Sequence, residues 1–214
     1  FPYTTLFRSD TELLVTGKDE RTGISLSFTN AHDRSFLTYR GTNADLSMDR
    51  VKIEKAGRAR HIHVTGYEGE ECHDSYARLL RRVKRETGAT VSFDVGWDPT
   101  GSWSSRIYEL FPWIDVLFMN ETEAEHYGKT DSPEEAAVRF ARECGQTVIK
   151  LGKKGSLAVK DGVVYHRPSY RVEAVDTTGA GDSFNAGYIY GFLKGEAIER
   201  CLQYGNICGA FSVS

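Results

Sequence analysis

The chain has 214 residues, of which 40% are hydrophobic and 27% charged, and its formal net charge is −3. This composition is that of an ordinary globular chain, long enough for one α/β domain with a sizeable core. The near-neutral charge argues against nucleic acid as a partner, and no apolar stretch is long enough to cross a membrane. Its cysteines form no CxxC pair and fit no zinc template, which favours free thiols in a reducing, cytoplasmic compartment.

The two ends of the chain differ from the rest. Residues 2–9 correspond to the translation of a DNA string that resembles a widely used sequencing adapter, so residues 1–9 are interpreted as a read-through segment fused to a truncated gene. A genuine apolar N-terminal strand is the alternative. At the other end, an apolar helical pattern stops at Ser214 without a capping or stop signal, which predicts a chain cut within an element.

The remaining sequence predicts strands and helices in alternation. Residues 23–28 and 36–39 alternate apolar with small or polar side chains around a turn-forming segment at 30–33, which predicts a β-hairpin. Further along, the patterns predict strands at 61–65, 90–94, 115–120 and 147–151, a hairpin at 156–166, and helices at 74–86, 133–145, 181–193 and from 196. This alternation indicates a parallel or mixed sheet covered by helices, with the first hairpin as a flap or a small second sheet.

The segment around residue 180 carries most of the chemistry. Gly179, Ala180 and Gly181 stand where a strand or loop becomes a helix, and small residues let the free amides of a helix start approach an anion. Asp182 follows at once and can accept a proton from a substrate hydroxyl. Anion-binding amides beside a base are what phosphoryl transfer to an alcohol requires. For this tetrapeptide alone, a glycine-rich turn with Asp182 as a helix cap is the preferred interpretation.

Two further positions have a chemical and a structural interpretation. Asn120 and Glu123 lie three residues apart on one helical turn and could offer oxygen atoms to Mg²⁺, or they could form a capping box. Lys150 lies inside an apolar strand, and because a buried lysine is costly without a partner, a phosphate partner is favoured.

Other motifs fit less well. Residues 152–156 have the composition of a P-loop but not its spacing, and Phe184 stands where a Rossmann fingerprint needs its third glycine. His61 and His63 alternate on a predicted strand and could share a metal ion, but no third ligand is visible, so a structural role is favoured.

The segment 176–184 taken whole resembles the C-terminal signature of the PfkB carbohydrate kinases, a ribokinase-like family. Residues 118–125 resemble that family's Asn-x-x-Glu motif, and residues 148–155 resemble its strand and loop at the nucleotide phosphates. Residues 22–25 and 39–44 resemble the strands that border its sugar site and lid. The resemblance covers nearly all of residues 10–214. It implies an incomplete α/β three-layer sandwich with a mainly parallel central sheet and a small β lid.

The resemblance also implies a role for each matching residue. Asp182 would be the general base on the sugar hydroxyl, and the amides of residues 179–181 would form the anion hole. Asn120 and Glu123 would position Mg²⁺ and the phosphates through water. The remaining assignments are Lys150, Gly152 and Gly155 along the ATP phosphates and ribose, Asn206 at the adenine, Arg40, Asn43 and Asp94 at the sugar, and Asp176 and Thr178 at a monovalent cation such as K⁺.

The implied function is ATP-dependent transfer of the γ-phosphoryl group to a hydroxyl of a small sugar or sugar acid, by a cytoplasmic protein that could form a homodimer through the lid. Residues 10–50 would form the partial lid and sugar-site strands, and residues 51–214 the catalytic and nucleotide-binding core, truncated at its C-terminus. Two alternatives stay open: a catalytically incompetent fragment of such a kinase, and a nucleoside or vitamin kinase of the same superfamily. Residues 94–99 depart from the family's common Asp-Pro-Asn form, which leaves the particular sugar open.

Overall fold

The computed structural model describes residues 21–29, 34–45, 47–56 and 58–214. The chain separates into two compact units, residues 1–52 and residues 53–214. The segment interpreted as adapter-derived, residues 1–9, lies outside the described residues, as does the predicted turn at 30–33.

The first unit contains the predicted hairpin. Strand β1 (Ile24–Thr29) pairs antiparallel with β2 (Arg34–Tyr39), with Ile24 opposite Tyr39 and Leu26 opposite Leu37. Because alternate residues of a strand point to the same face, the three apolar residues of β1 share a face with Leu37 and Tyr39 of β2. The members of that face are each more than half exposed: Ile24, Leu26, Phe28, Leu37 and Tyr39. Two 3₁₀ segments follow, Gly41–Asp45 and Met48–Arg50.

The second unit is built on a six-stranded sheet whose strands lie in chain order. These are β3 (His61–Thr65), β4 (Thr90–Asp94), β5 (Val116–Asn120), β6 (Thr147–Lys150), β7 (Ser156–Lys160) and β8 (Val163–Arg167). Strands β3 to β6 are parallel, and β7 and β8 are antiparallel additions at the edge. The four parallel strands therefore end at one edge of the sheet, which is where ligands bind in open α/β sheets.

Helices connect and cover these strands. They are α1 (Ile53–Ala56), α2 (His73–Glu86), α3 (Glu121–Gly128), α4 (Pro133–Phe140), α5 (Ala180–Lys194) and α6 (Ile198–Val213). Ser132 caps α4 by accepting a hydrogen bond from the Glu135 amide, as its sequence predicts, but the helix ends at Phe140 rather than at 145. A 3₁₀ helix at Ser105–Trp113 has no counterpart in the sequence prediction.

Helices α5 and α6 pack on one face of the sheet. Their side chains Phe184, Tyr188 and Leu202 form a buried cluster with Val116 and Phe118 of β5. The two helices approach closely because glycines lie at their contact: a Cβ atom on Gly187 would come within 2.5 Å of the Tyr204 carbonyl oxygen. On the opposite face, Tyr76 of α2 packs edge-on against Phe93 of β4, 5.8 Å between ring centroids. The sheet is therefore covered on both faces.

Candidate active site

Three predicted site residues lie at the carboxyl ends of neighbouring strands. Asp94, Asn120 and Lys150 are the last residues of β4, β5 and β6. In the strand register, Asn120 is opposite Lys150, and Asp94 is opposite Phe118, two residues before Asn120. Side chains two residues apart on a strand share a face, so all three point to the face that α5 and α6 cover.

Helix α5 begins at the same edge. Gly179 precedes it in a left-handed conformation with φ of +76°, which a residue with a side chain rarely adopts. The amide of Ala180 donates to the Thr177 carbonyl oxygen at 3.3 Å, and a Cβ atom on Gly181 would lie 3.4 Å from Lys150 Nζ. The positive end of the α5 dipole therefore lies beside the lysine and favours an anion there, while the Ala180 amide is already used within the turn.

Lys150 has a protein partner that the sequence did not reveal. Its Nζ atom lies 2.6 Å from Asp94 Oδ2, and both side chains are largely buried. Asn185 of α5 donates its side-chain amide to the same Asp94 oxygen. The burial of Lys150 therefore does not by itself indicate a phosphate, because the Asp94 carboxylate already supplies a negative charge. Lys150 nevertheless lines the larger of the two pockets described below.

Asn120 and Glu123 form the capping box that was one of their two interpretations. Asn120 Oδ1 accepts from the Glu123 amide at 2.8 Å, and Glu123 Oε2 accepts from the Asn120 amide at 2.9 Å. Burial raises the pKa of the Glu123 carboxyl, and the hydrogen bond from Asn120 acts in the opposite direction. These reciprocal hydrogen bonds fix both side chains at the carboxyl end of β5, where α3 begins. Asn120 also lines the larger pocket, so the capping role and a ligand-binding role are compatible.

The larger pocket has a volume of about 800 Å³. Its walls include predicted residues from five separate parts of the second unit: Asn120, Lys150, Gly152, Gly155, Ala180, Gly181 and Asn206. A further wall, residues 169–172 with Ala174, was not predicted because this segment has no periodic pattern, and Val213 of α6 lies beside the same pocket. Gly155 is required sterically, since a Cβ atom there would lie 2.0 Å from the Arg167 carbonyl oxygen.

Asn206 supports this pocket from α6. Its Oδ1 accepts a hydrogen bond from the Ser156 hydroxyl at 3.1 Å, and its Nδ2 donates to the carbonyl oxygens of Arg167 and Pro168, each at 3.2 Å. The side chain is 6% exposed. In this structure, Asn206 therefore ties α6 to β7 and to the segment that leaves β8.

A second, smaller pocket of about 500 Å³ lies on the other side of the α5 start. It is lined by His63, Thr65, Asp182, Asn185, Ala186 and Ile189. His63 and Asn185 were not assigned a ligand-binding role from the sequence. The alternation of side chains along β3 was the feature of the sequence that could have indicated this for His63. In the strand register His63 lies opposite Ser92, which places it on the same sheet face as Asp94. Burial lowers the pKa of His63, while Asp94 raises it and Lys150 lowers it further.

The two histidines of β3 share a hydrogen-bond partner. His61 and His63 both hydrogen-bond the Ser92 hydroxyl, at 2.8 and 2.7 Å. No group of three or more metal-binding side chains (His, Cys, Asp or Glu) occurs within the described ranges.

Arg40, Asn43, Asp176 and Thr178 complete the set of predicted site residues. Arg40 and Asn43 belong to the first unit. Asp176 and Thr178 are exposed, and the Thr178 amide donates to Asp176 Oδ1 at 2.8 Å.

The loop after β4 is organised around Asp98, which is 1% exposed. Its carboxylate accepts hydrogen bonds from the amide and hydroxyl of Thr100, the hydroxyl of Ser102 and the amide of Trp103. Trp103, held at φ of +46°, stacks on His126 of α3 with 4.5 Å between ring centroids. A single acid therefore orders the loop that follows the Asp94 strand.

Acid is expected to loosen this loop. Burial alone raises the pKa of Asp98, but the hydrogen bonds from Thr100, Trp103 and Ser102 outweigh it and hold the pKa below its usual value. Because the folded-state pKa is depressed, the stabilisation is complete above the ordinary aspartate pKa of about 3.9 and is lost as the pH falls below it. Near-UV circular dichroism of the tryptophans between pH 7 and pH 3 measures this. Asp98→Asn is the control, and an acid transition of the same size in that variant would contradict the assignment.

Comparisons with known proteins agree with this architecture. The family described as pfkB family carbohydrate kinase matches residues 10–214, and the chain belongs to this family. An uncharacterized sugar kinase of Archaeoglobus fulgidus is 30% identical over 194 residues, which cover 89% of this chain and 76% of the relative. An ATP-dependent ribose-1-phosphate kinase of Halopiger xanaduensis is 30% identical over 181 residues, covering 80% of this chain and 54% of that protein.

Solved structures show the same fold. A putative ribokinase II from E. coli, in complex with ATP and Mg²⁺, matches with a TM-score of 0.76 and 26% identity, covering 88% of this chain and 64% of that one. The predicted ribokinase-like α/β fold with a mixed central sheet flanked by helices is therefore confirmed. The chain spans between about half and three quarters of the length of the relatives compared. No helix in the described part of the chain is long and apolar enough to span a membrane.

Proposed function

We propose that the protein transfers the γ-phosphoryl group of ATP to a hydroxyl of a small sugar or sugar acid. One observation carries this proposal: the start of α5 forms a wall of both pockets. Ala180 and Gly181 line the larger pocket, and Asp182, the next residue, lines the smaller one. A phosphoryl group held at the helix amides and a hydroxyl held at Asp182 would therefore be neighbours, as in-line transfer requires.

In the proposed reaction, the acceptor oxygen bonds to the γ-phosphorus while the bond from that phosphorus to the bridging oxygen of ADP breaks. Asp182 takes the proton that the hydroxyl loses. The amides of residues 179–181 stabilise the charge on the transferring group, and Lys150 adds a positive charge beside them. Donors fixed in position before the reaction stabilise that charge without reorganising.

The other assignments belong to the same proposal. Gly152 and Gly155 would lie along the nucleotide, Asn206 would approach the adenine, and Arg40 and Asn43 would contribute to the sugar site with Asp94. Asp176 and Thr178 would bind K⁺. The nucleotide assignments are supported by position, because Gly152, Gly155 and Asn206 all line the larger pocket.

The residues at the mouth of β5 fit a magnesium nucleotide. Mg²⁺ prefers oxygen ligands and keeps several waters, so protein oxygens can hold it through those waters. Asn120 lines the larger pocket, and Glu123, which is 5% exposed, is tied to it because both of its carboxylate oxygens accept hydrogen bonds from Asn120. The ion would supply charge compensation for the phosphates and would be held by these two side chains through water. The volume of about 800 Å³ is within the usual range for a small-molecule site.

The test is a substrate panel read as ADP formation. Sugars, sugar acids, nucleosides and pyridoxal are each supplied with MgATP to this chain and to the complete product of its gene. We expect turnover with a sugar or sugar acid in the complete product. Turnover with nucleosides or pyridoxal alone would show that the acceptor is not a sugar or sugar acid. Turnover in neither protein would reject the proposed activity. Turnover in the complete product but not in this chain would identify the chain as an incompetent fragment.

We also propose that the protein forms a homodimer through the lid, which is the β1–β2 hairpin, and that it is cytoplasmic. The exposed face of the hairpin supports the homodimer. The face carries five apolar side chains that are each more than half exposed, which is unusual for a surface that stays in water. Sedimentation of the complete gene product is expected to show a dimer, and Leu26→Lys is expected to shift it toward monomer. A monomeric wild-type protein at micromolar concentration would reject this arrangement.

A further inference from the structure

A chain of three polar side chains connects the two pockets. Lys150 lines the larger pocket and Asn185 lines the smaller one. Between them, Asp94 Oδ2 accepts from Lys150 Nζ at 2.6 Å and also from the Asn185 amide. Asp94 is 8% exposed and Asn185 is 1% exposed, so the hydrogen bonds that join these three side chains are shielded from solvent.

Lys150 has one negative partner in this structure and would gain a second when an anion binds. One is the Asp94 carboxylate that it contacts in this structure. The other would be an anion at the start of α5, which lies within reach because a Cβ atom on Gly181 would be 3.4 Å from Nζ. Rotation about the bonds of the lysine side chain is enough to move the ammonium group from one to the other. The two anions therefore compete for the same cation.

The buried carboxylate does not lose all support when Lys150 turns away. An unpaired buried charge is costly, but Asn185 continues to donate to the same oxygen. The Asn185 side chain is itself held only at one end: its Oδ1 atom is buried without a hydrogen-bond partner among the described residues. Such an amide can adjust its position as the charge on its other side changes.

We propose that Asp94 is an internal substitute for the ligand's phosphate, and that Lys150 exchanges Asp94 for the anion when the larger pocket fills. This inference rests on the proposed function, because it takes polyphosphate as the ligand of that pocket. It assigns Asp94 a positioning role toward the nucleotide side in addition to its suggested place near the sugar. The exchange lowers the intrinsic affinity for anions, since each binding event must break the ion pair.

The experiment measures binding of inorganic tripolyphosphate by calorimetry at low ionic strength. Asp94→Asn removes the competing charge and keeps the side-chain shape, so we expect it to tighten binding by about fivefold or more, the scale of an ordinary coupling between two ligands. Lys150→Met is expected to weaken binding. In the Lys150→Met background, Asp94→Asn is expected to change the affinity by less than about twofold, because no cation is left to release.

If Lys150→Met alone folds poorly, wild type against Asp94→Asn still tests the exchange. The double variant, which leaves no unpaired buried charge, then shows whether the affinity gained in Asp94→Asn depends on Lys150. The matched control is Lys160→Met, which removes an exposed positive charge at the end of β7, while Lys150 pairs with Ser156 at the other end of that strand. Because this charge lies away from the larger pocket, the variant is expected to leave the affinity unchanged within about twofold.

Three results would overturn the exchange. One is an Asp94→Asn variant that binds tripolyphosphate no better than wild type. Another is an equal gain in both lysine backgrounds, which would indicate a general field effect. The third is no binding by either the wild-type protein or Asp94→Asn. In each case ADP formation in the substrate panel decides separately whether the proposed phosphotransfer stands.

Discussion

Replacing Asp182 with asparagine is expected to lower the turnover number for phosphoryl transfer by about 10²–10⁴-fold, the usual contribution of a general base. Asparagine keeps the shape of the side chain but cannot take the proton of the acceptor hydroxyl. Asp182 is exposed in the smaller pocket, so the substitution should leave the folded structure intact. The measurement is steady-state ADP formation by the complete gene product with its best acceptor.

The control for this prediction is Asp161→Asn. Asp161 lies in the tight turn between β7 and β8, has a φ of +51° and is exposed, and asparagine tolerates the left-handed conformation well. It removes the same charge at a distance from the pockets and should leave turnover unchanged. Near-normal turnover in Asp182→Asn would remove this residue from the proposed mechanism.

Adding one methyl group at Gly187 is expected to destabilise the protein by about 1–3 kcal/mol or more, the cost of overpacking a closed interface. The new Cβ would lie 2.5 Å from the carbonyl oxygen and 2.8 Å from the carbonyl carbon of Tyr204. These are backbone atoms that cannot rotate away, so α5 and α6 would have to separate. Urea unfolding of Gly187→Ala measures the effect, because the midpoint reports the free energy of unfolding.

Gly209→Ala is the matched control on the same pair of helices. Its Cβ would lie 3.3 Å from the Ala180 carbonyl oxygen and 3.5 Å from Phe184 Cβ, contacts that small shifts can relieve. Since alanine favours a helix interior over glycine by about 1 kcal/mol, this variant should be neutral or more stable. If Gly187→Ala and Gly209→Ala unfold at the same urea concentration, the close approach at Gly187 does not set the helix spacing.

The sequence predicted local features well because their causes are local. The Ser132 cap depends on residues within one turn, and so does the capping box of Asn120 and Glu123. The Asp161-Gly162 turn between β7 and β8 follows from the conformational preferences of two residues. The α5 start at the glycine-rich segment is of the same kind. Errors occurred where the pattern was ambiguous, as at the end of α4 and in the 3₁₀ helix at 105–113.

By itself, the sequence determined the alternation of strands and helices, and it determined that Asp182 follows a run of small residues at a helix start. Strand order and register, which only the tertiary structure shows, decided which distant side chains the site residues contact. Lys150 meets Asp94, 56 residues earlier in the chain, and Asn185 meets the same carboxylate across 91 residues. Periodicity reports which side of an element is buried, but it contains no information on which distant strand lies beside it. The partner of a buried charge is therefore a property of the folded sheet.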